Sequence, residues 1–287
     1  MKLAIIFPVL NQHDLANASI DFAVKLLGTN KDRELIVIDN ASDQPLEGFP
    51  HFADKVEGKI VRLYNNIGVY PIFWEALKHT DADILAFFHS DLVISEKDWD
   101  LKVMEQFEQN SKLGLLGFIG SNEIDGSGGR GLGTTSNFQG LQVTHNNKKG
   151  EAKQWQGSPA EPHGKRYNGF TRAAVVDGCA MIFRRSALEQ IAQRNDFPPH
   201  HFYDRLLSCE VREKGYEMGV LGIGCDHISG QTVNQEPAYG LMAEKWAREH
   251  GLDLGGFHNW DMVLYREAER MWLNEYKNQK GLVPCKL

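Results

Sequence analysis

Apolar and polar positions alternate with two distinct periods over the first 120 residues. Short apolar runs at 3–7, 35–39, 60–64, 84–88 and 115–119 have strand length. Between the first two, Ala16, Ile20, Ala23, Val24 and Leu27 recur at helical spacing, and Gly28 stands where a left-handed C-cap would end that helix. Further helices are expected over 71–79 and 96–109, each returning the chain to the next strand. Short apolar strands alternating with longer amphipathic helices predict a parallel sheet covered by crossover helices.

From 120 to 169 the periodicity lapses into Gly, Ser, Asn and Gln, including the run Gly126, Ser127, Gly128, Gly129, Arg130, Gly131. A loop of that length inside a domain is uncommon and reads as an adaptable substrate loop. Pattern returns with a strand over 173–183, helices over 186–192 and 202–214, and a strand over 218–222. From about 236 the tail reads as two helices whose apolar positions, Leu241, Trp246, Trp260, Leu264 and Met271, need a surface to cover them. No repeat and no compositional break marks a linker.

Composition narrows the class. The 287 residues are 42% hydrophobic and 24% charged, with 31 Lys and Arg against 38 Asp and Glu, a net charge of −7. That is ordinary for a globular protein, and it disfavours a nucleic-acid partner, whose binders concentrate basic residues on one face. The four cysteines, Cys179, Cys209, Cys225 and Cys285, are far apart and read as reduced thiols in a cytoplasmic setting. The apolar start is broken by Pro8, Asn11 and Asp14 before a signal core forms, and no run approaches the length of a membrane span.

Open α/β sheets bind ligands beyond the carboxyl ends of their strands. Four such ends are polar here: Pro8 to Gln12; Asp39, Asn40, Ala41, Ser42 and Asp43; Asn65, Asn66, Ile67 and Gly68; and His89, Ser90 and Asp91. One polar end is an ordinary cap or turn. Four along one edge suit a nucleotide, with Asp39 placed to accept from a base or ribose and Gly68 allowing close backbone approach. A dinucleotide-dependent oxidoreductase is the rival reading, and it fails because no G-x-G-x-x-G follows the first strand, where Pro8 removes a donor instead.

The run Pro8, Val9, Leu10, Asn11, then Val37 to Asp43, Asn65 to Gly68 and Phe88 to Asp91, resembles the successive nucleotide-sugar motifs of family 2 glycosyltransferases with the GT-A fold. The resemblance continues through Val176, Asp177, Gly178, Cys179 to Arg185, then through Phe202, Tyr203, Asp204 to Leu207 and on to Lys214, Gly215, Tyr216. It spans about residues 3–230. It implies a Rossmann-like, mostly parallel central sheet flanked by helices: a GT-A domain over 1–232, with a nucleotide-binding half to 120 and an acceptor half from 121, and a C-terminal helical extension over 233–287.

The resemblance also implies roles. Asp39 would contact the base, and Pro8, Leu10, Asn11, Asn66, Gly68, Ser90, Asp91 and Gly178 would surround the nucleotide sugar. Family members carry D-x-D or a shorter form ending in one Asp, whose carboxylate holds a divalent ion bridging the diphosphate. In this chain His89 replaces the first Asp, leaving Asp91 as the ligand, with His227 as the second; the ion would be Mn²⁺ or Mg²⁺. Counting back eleven residues from Gly215 reaches Asp204, the position of the family's base, which removes the acceptor hydroxyl proton. The Glu that usually precedes it is Tyr203.

The expected activity is a metal-dependent, inverting transfer of a sugar from a nucleoside diphosphate sugar, UDP-sugar by default, to an acceptor hydroxyl on a glycan, a lipid-linked sugar or a hydroxylated DNA base. The alternative is a non-catalytic nucleotide- or sugar-binding module of the same fold. Weaker candidates are Arg184 and Arg185, read as a solvated strand end; the basic set His163, Lys165, Arg166 and Arg172; and Trp155 and Tyr167, which could stack on a sugar ring or pin the loop.

Overall fold

A computed structural model of the chain describes residues 1–29, 32–48, 55–120, 169–195 and 203–227, together with the backbone of 121, 137–139 and 165–166. In chain order the elements are β1 (Leu3–Val9), α1 (His13–Lys25), β2 (Arg33–Asn40), β3 (Glu57–Leu63), α2 (Ile72–Leu77), β4 (Ile84–Phe88), β5 (Leu92–Ile94), α3 (Trp99–Gln109) and β6 (Leu113–Gly117). They continue with β7 (Ile119–Ser121), β8 (Asn137–Gln139), β9 (Lys165–Arg166), β10 (Phe170–Arg172), β11 (Val175–Val176), β12 (Ala180–Arg184), α4 (Arg185–Leu188), α5 (Tyr203–Glu213), β13 (Glu217–Leu221) and β14 (Cys225–His227).

Eight strands form one sheet in the order β10-β13-β6-β12-β4-β1-β2-β3. The pairs β1 with β2, β1 with β4, β2 with β3, and β13 with β6 are parallel, whereas β12 runs antiparallel between β4 and β6. Parallel strands are covered on both faces, which explains why β1 is an unbroken apolar run rather than an alternating one. Leu3, Ile5 and Phe7 pack with Ala16, Ile20 and Ala23 of α1 and with Trp99, Val103 and Phe107 of α3. Ala4 and Ile6, on the opposite face, join Ile72, Phe73 and Ala76 of α2 and Leu206, Leu207 and Val211 of α5.

The expected mostly parallel sheet flanked by helices is present, and so are the strands and helices predicted over the first 120 residues, within a few residues at each end. Several expectations change. Gly28 does not end α1 in a left-handed turn: the helix closes at Leu26 (φ −94°, ψ 5°), and Gly28 is not among the glycines of positive φ. Gly28 is small because the chain passes close to α3, where a Cβ would lie 2.5 Å from Leu101 Cδ1. Its amide donates to Asp100 (2.8 Å), and the same carboxylate forms a buried ion pair with Arg33.

The stretch over 120–169 is not structureless throughout, because β7, β8 and β9 lie within it and form a second sheet, β11-β7-β8-β9. Gly120 sits too close to Val175 for any side chain, and backbone pairing of this kind leaves no apolar period to read. The strand expected over 173–183 is two strands, β11 and β12, separated by a turn at 177–179. Nor are Arg184 and Arg185 a solvated strand end. Arg184 donates to the carbonyls of Phe107 (2.7 Å), Asn110 (2.9 Å) and Leu113 (2.9 Å), closing the end of α3, and Arg185 donates to Thr80 (2.7 Å). Arg172 pairs with Glu217 at 2.8 Å. The helices expected beyond 236, the extension over 233–287 and the side chains of Trp155, His163, Lys165, Arg166 and Tyr167 lie outside the described residues. Among the described residues no helix is long and apolar enough to cross a membrane.

Candidate active site

The carboxyl ends of β1, β2 and β3 are tied together by the polar residues that follow them. After β1, Asn11 adopts φ 61°, and its amide donates to Ser42 Oγ (2.9 Å) while its Oδ1 accepts from the Asp43 amide (2.7 Å). After β2, the Asn40 side chain donates to Asn66 Oδ1 (2.9 Å) and to the Gly68 carbonyl (3.3 Å), and accepts from the Ile67 amide (3.0 Å). Gly68 has φ +83° and donates to Asn66 Oδ1 at 2.9 Å, a turn that a residue with a Cβ adopts only with strain. Asn and Asp are suited to these places because their short side chains bond neighbouring backbone.

Asp39 is the keystone of this edge. It is completely buried; its carboxylate accepts from the amides of Ser42 (2.9 Å) and Leu46 (3.1 Å) and pairs with Arg62, which also donates to the Ser42 carbonyl (2.6 Å). Burial pushes the Asp39 carboxyl up, but the bonds from Ser42, Arg62 and Leu46 outweigh it and hold the group below the usual carboxylate range. The acid therefore organises the loop over 42–46 and fixes Arg62, whose side chain remains one-third exposed.

The second half of the edge brings distant segments together. Beyond β4 the chain turns through His89, Ser90 and Asp91; the His89 amide donates to the Cys179 carbonyl (3.0 Å), and the Ser90 carbonyl accepts from Ser19 of α1 (2.8 Å). The two-stranded sheet β14-β5 then aligns His227 opposite Leu92, one residue from Asp91. As a result His227 Nε2 lies 3.3 Å from Asp91 Oδ1, and His89 Nδ1 lies 3.8 Å from the same oxygen. One donor atom from each of His89, Asp91 and His227 falls within 4.8 Å of the other two, and Asp177, Cys179 and His227 form a second such group sharing His227. Two imidazoles and a carboxylate are a donor set for a divalent cation, so the residues present fit one.

Electrostatics agree with this geometry. Burial pushes the Asp91 carboxyl up, yet the neighbouring His227 and His89 reverse the effect and leave it below the usual range. Desolvation lowers the His89 imidazole further than Asp91 raises it, which favours the neutral, ligand-competent ring.

Next to this cluster stands the start of α5. Asp204, 4% exposed, accepts from the Gly178 amide (3.2 Å) and from its neighbour's amide (2.9 Å), and it pairs with the Arg205 guanidinium. Ser208, one turn on, donates to the Asp204 carbonyl at 2.6 Å. The Tyr203 hydroxyl lies 2.6 Å from His89 Nε2, and its ring covers Gly178, where a Cβ would stand 2.8 Å from the ring carbon bearing the hydroxyl. A small cleft is lined by Pro8, Phe87, His89, Gly178 and Tyr203, with Val69 and Phe73 completing its apolar wall.

A nucleotide-suited strand edge, a cation-suited triad and a helix-start carboxylate thus share one side of a mostly parallel sheet. Residues 59–250 match the Glycosyltransferase like family. The chain belongs to this glycosyltransferase family. Among solved structures, the mannosyltransferase PcManGT from Pyrobaculum calidifontis, in complex with GDP-Man and Mn²⁺, is 14% identical over 96% of this chain and 71% of its own, with a TM-score of 0.54. TarS residues 1–349 from S. aureus is 18% identical over 98% of this chain and 75% of that one, at a TM-score of 0.49. No curated protein matches the chain by sequence.

The expected GT-A fold and glycosyltransferase class are borne out. Within this glycosyltransferase, Pro8, Leu10, Asn11, Asp39, Asn66 and Gly68 occupy the ends of β1 to β3, and Ser90, Asp91, Gly178, Asp204 and His227 gather at the end of β4. Sequence reasoning gave four residues no role at the site. Arg62 bonds Asp39, and Arg205 bonds Asp204; Tyr203 bonds His89; Cys179 closes on His227. Only one signal for any of these was visible in the chain: His89 and Tyr203 are the two departures from the family pattern, and they contact each other.

Proposed function

We propose that this glycosyltransferase is metal-dependent and inverting, and moves a sugar from a nucleoside diphosphate sugar to an acceptor hydroxyl. The observation that carries the reading is the 3.3 Å approach of His227 to Asp91 beside a turn whose Gly178 amide binds Asp204. The residues read as cation ligands and the carboxylate read as the base are thereby neighbours of one turn.

In this reading residues up to about 120 hold the donor. Pro8, Leu10, Asn11, Asn66, Gly68 and Ser90 surround the nucleotide, while Asp39 serves base recognition by fixing the 42–46 loop and Arg62. Asp91 and His227 would hold Mn²⁺ or Mg²⁺, which when bound neutralises charge on the departing diphosphate oxygens. Gly178 lines the sugar and Asp204 faces the acceptor. The Asp204 carboxylate takes the acceptor hydroxyl proton as that oxygen attacks the anomeric carbon. The bond from that carbon to the diphosphate oxygen breaks on the opposite face, and its electron pair leaves with the nucleoside diphosphate. Gly178 and Arg205 position the carboxylate for this step.

A panel of uridine and guanosine diphosphate sugars, each with Mn²⁺ and with Mg²⁺, tests the proposal by thermal shift and by release of nucleoside diphosphate. A donor at about 100 times its dissociation constant should add about 2.7 kcal/mol to stability. Asp204→Asn should keep that shift and lose about 10²- to 10⁴-fold in turnover. Turnover at the wild-type rate would overturn the assignment of the base.

A further inference from the structure

The two positions at which this chain departs from its family's pattern form one device. His89 Nε2 is 2.6 Å from the Tyr203 hydroxyl, whereas His89 Nδ1 points to the other side, 3.8 Å from Asp91 Oδ1. The His89 and His227 rings are 5.5 Å apart between centroids. Metal bonds of about 2.0–2.2 Å place adjacent donors about 3.0–3.5 Å apart. The 3.3 Å separation of His227 and Asp91 already lies in that range, and the 3.8 Å separation of His89 and Asp91 needs a movement of a few tenths of an ångström.

We infer that His89 is itself a metal ligand through Nδ1, that Tyr203 is the positioning residue which fixes its tautomer, and that the resulting two-imidazole, one-carboxylate site selects ions that accept nitrogen donors, Co²⁺ most and Mn²⁺ less, over Mg²⁺. The inference rests on the metal-dependent reading above and goes beyond it in naming the third ligand and the class of ion. Its chemistry is direct. An imidazole can present only one ring nitrogen to a cation, and the hydrogen bond at the other decides which. With its proton on Nε2 donated to the Tyr203 hydroxyl oxygen, His89 keeps the Nδ1 lone pair for the metal. Tyr203 is held for this role by its ring, which packs against Gly178 and stands 5.7 Å from Phe73. Magnesium prefers oxygen donors and retains its waters, whereas later divalent ions gain from each nitrogen. Replacing a carboxylate by His89 therefore moves the site away from magnesium, and the Tyr203 hydroxyl oxygen, in place of Glu, is within reach to accept the Nε2 proton and leave Nδ1 for the ion.

Titrating the metal-stripped full chain with Co²⁺, followed by its visible absorption, and with Mn²⁺ and Mg²⁺ in competition tests this without any donor or acceptor. The wild type should prefer Co²⁺ and Mn²⁺ over Mg²⁺ by at least about tenfold, His89→Asp should cut that ratio about tenfold, and Tyr203→Phe should weaken Co²⁺ binding about 10- to 100-fold and alter its spectrum. The Phe ring preserves the packing, so melting curves without metal should fall by no more than the few degrees that one lost hydrogen bond accounts for. Unchanged affinity and spectrum in both His89→Ala and Tyr203→Phe would overturn the inference while leaving a site of Asp91 and His227 in place. Absence of binding by any of the three ions in the wild type would overturn both this inference and the metal-dependent reading.

Discussion

Gly178→Ala tests whether the turn over 177–179 holds Tyr203 in place. Gly178 is not among the glycines of positive φ, so the backbone accepts alanine and any cost is steric. The added methyl would meet the Tyr203 hydroxyl oxygen first and would stand 2.8 Å from Cζ, at least about 0.6 Å inside ordinary contact. If the ring withdraws by that distance, its 2.6 Å contact with His89 opens to about 3.2 Å, the limit of a useful hydrogen bond. Overpacking costs about 1–3 kcal/mol, and the lost bond adds about 0.5–1.5 kcal/mol. Urea unfolding should therefore show a loss of about 2–4 kcal/mol with an unchanged slope. Co²⁺ affinity should fall with it, because the tautomer of His89 is no longer held. Combining Gly178→Ala with Tyr203→Phe removes the hydroxyl that meets the methyl first, so the two changes should cost less together than their sum. A Gly178→Ala chain with wild-type midpoint and wild-type metal affinity would refute the reasoning, since the methyl would then have been accommodated without moving Tyr203.

Other expectations concern the frame that supports the site. Arg33 and Asp100 form a pair 5% and 0% exposed between β2 and α3, so Arg33→Met should destabilise by about 3–5 kcal/mol in urea unfolding, and a loss below 1 kcal/mol would contradict it. Asp39→Asn should cost stability in a pH-dependent way. A carboxyl held below its usual range contributes stability above the unfolded value, about 3.9, and loses that contribution as pH falls through the folded value. The gap in unfolding free energy between wild type and Asp39→Asn should be full at pH 6 and shrink below about pH 4; a gap independent of pH would show that the charge of Asp39 contributes nothing.

The sheet and the polar ends of its strands were legible in the sequence because both depend on local rules. Strands buried on two faces must be apolar throughout, and residues bonding backbone at tight turns must be Asn, Asp, Ser or Gly, as at Asn11, Asn40, Asn66 and Gly68. The strands β5, β10 and β14, each of three residues, gave no readable period. Gly28 was misread because a helix-ending glycine and a glycine at a close approach look alike until the neighbour, Leu101, is known. Arg184 and Arg185 were misread for the same kind of reason: an arginine at a strand end is solvated unless the carbonyls ending another helix lie within reach.

By itself the sequence determined the family, the succession of strands and helices over the first 120 residues, and the polar residues that end those strands. Tertiary structure decided what those positions touch. His227 reaches Asp91 only because β14 pairs with β5, and Tyr203 meets His89 only because β12 inserts antiparallel beside β4 and brings Gly178 under the start of α5. Residue type fixes which bonds a side chain can make. Which of them it does make depends on contacts between segments far apart in the chain, and no local period carries that information.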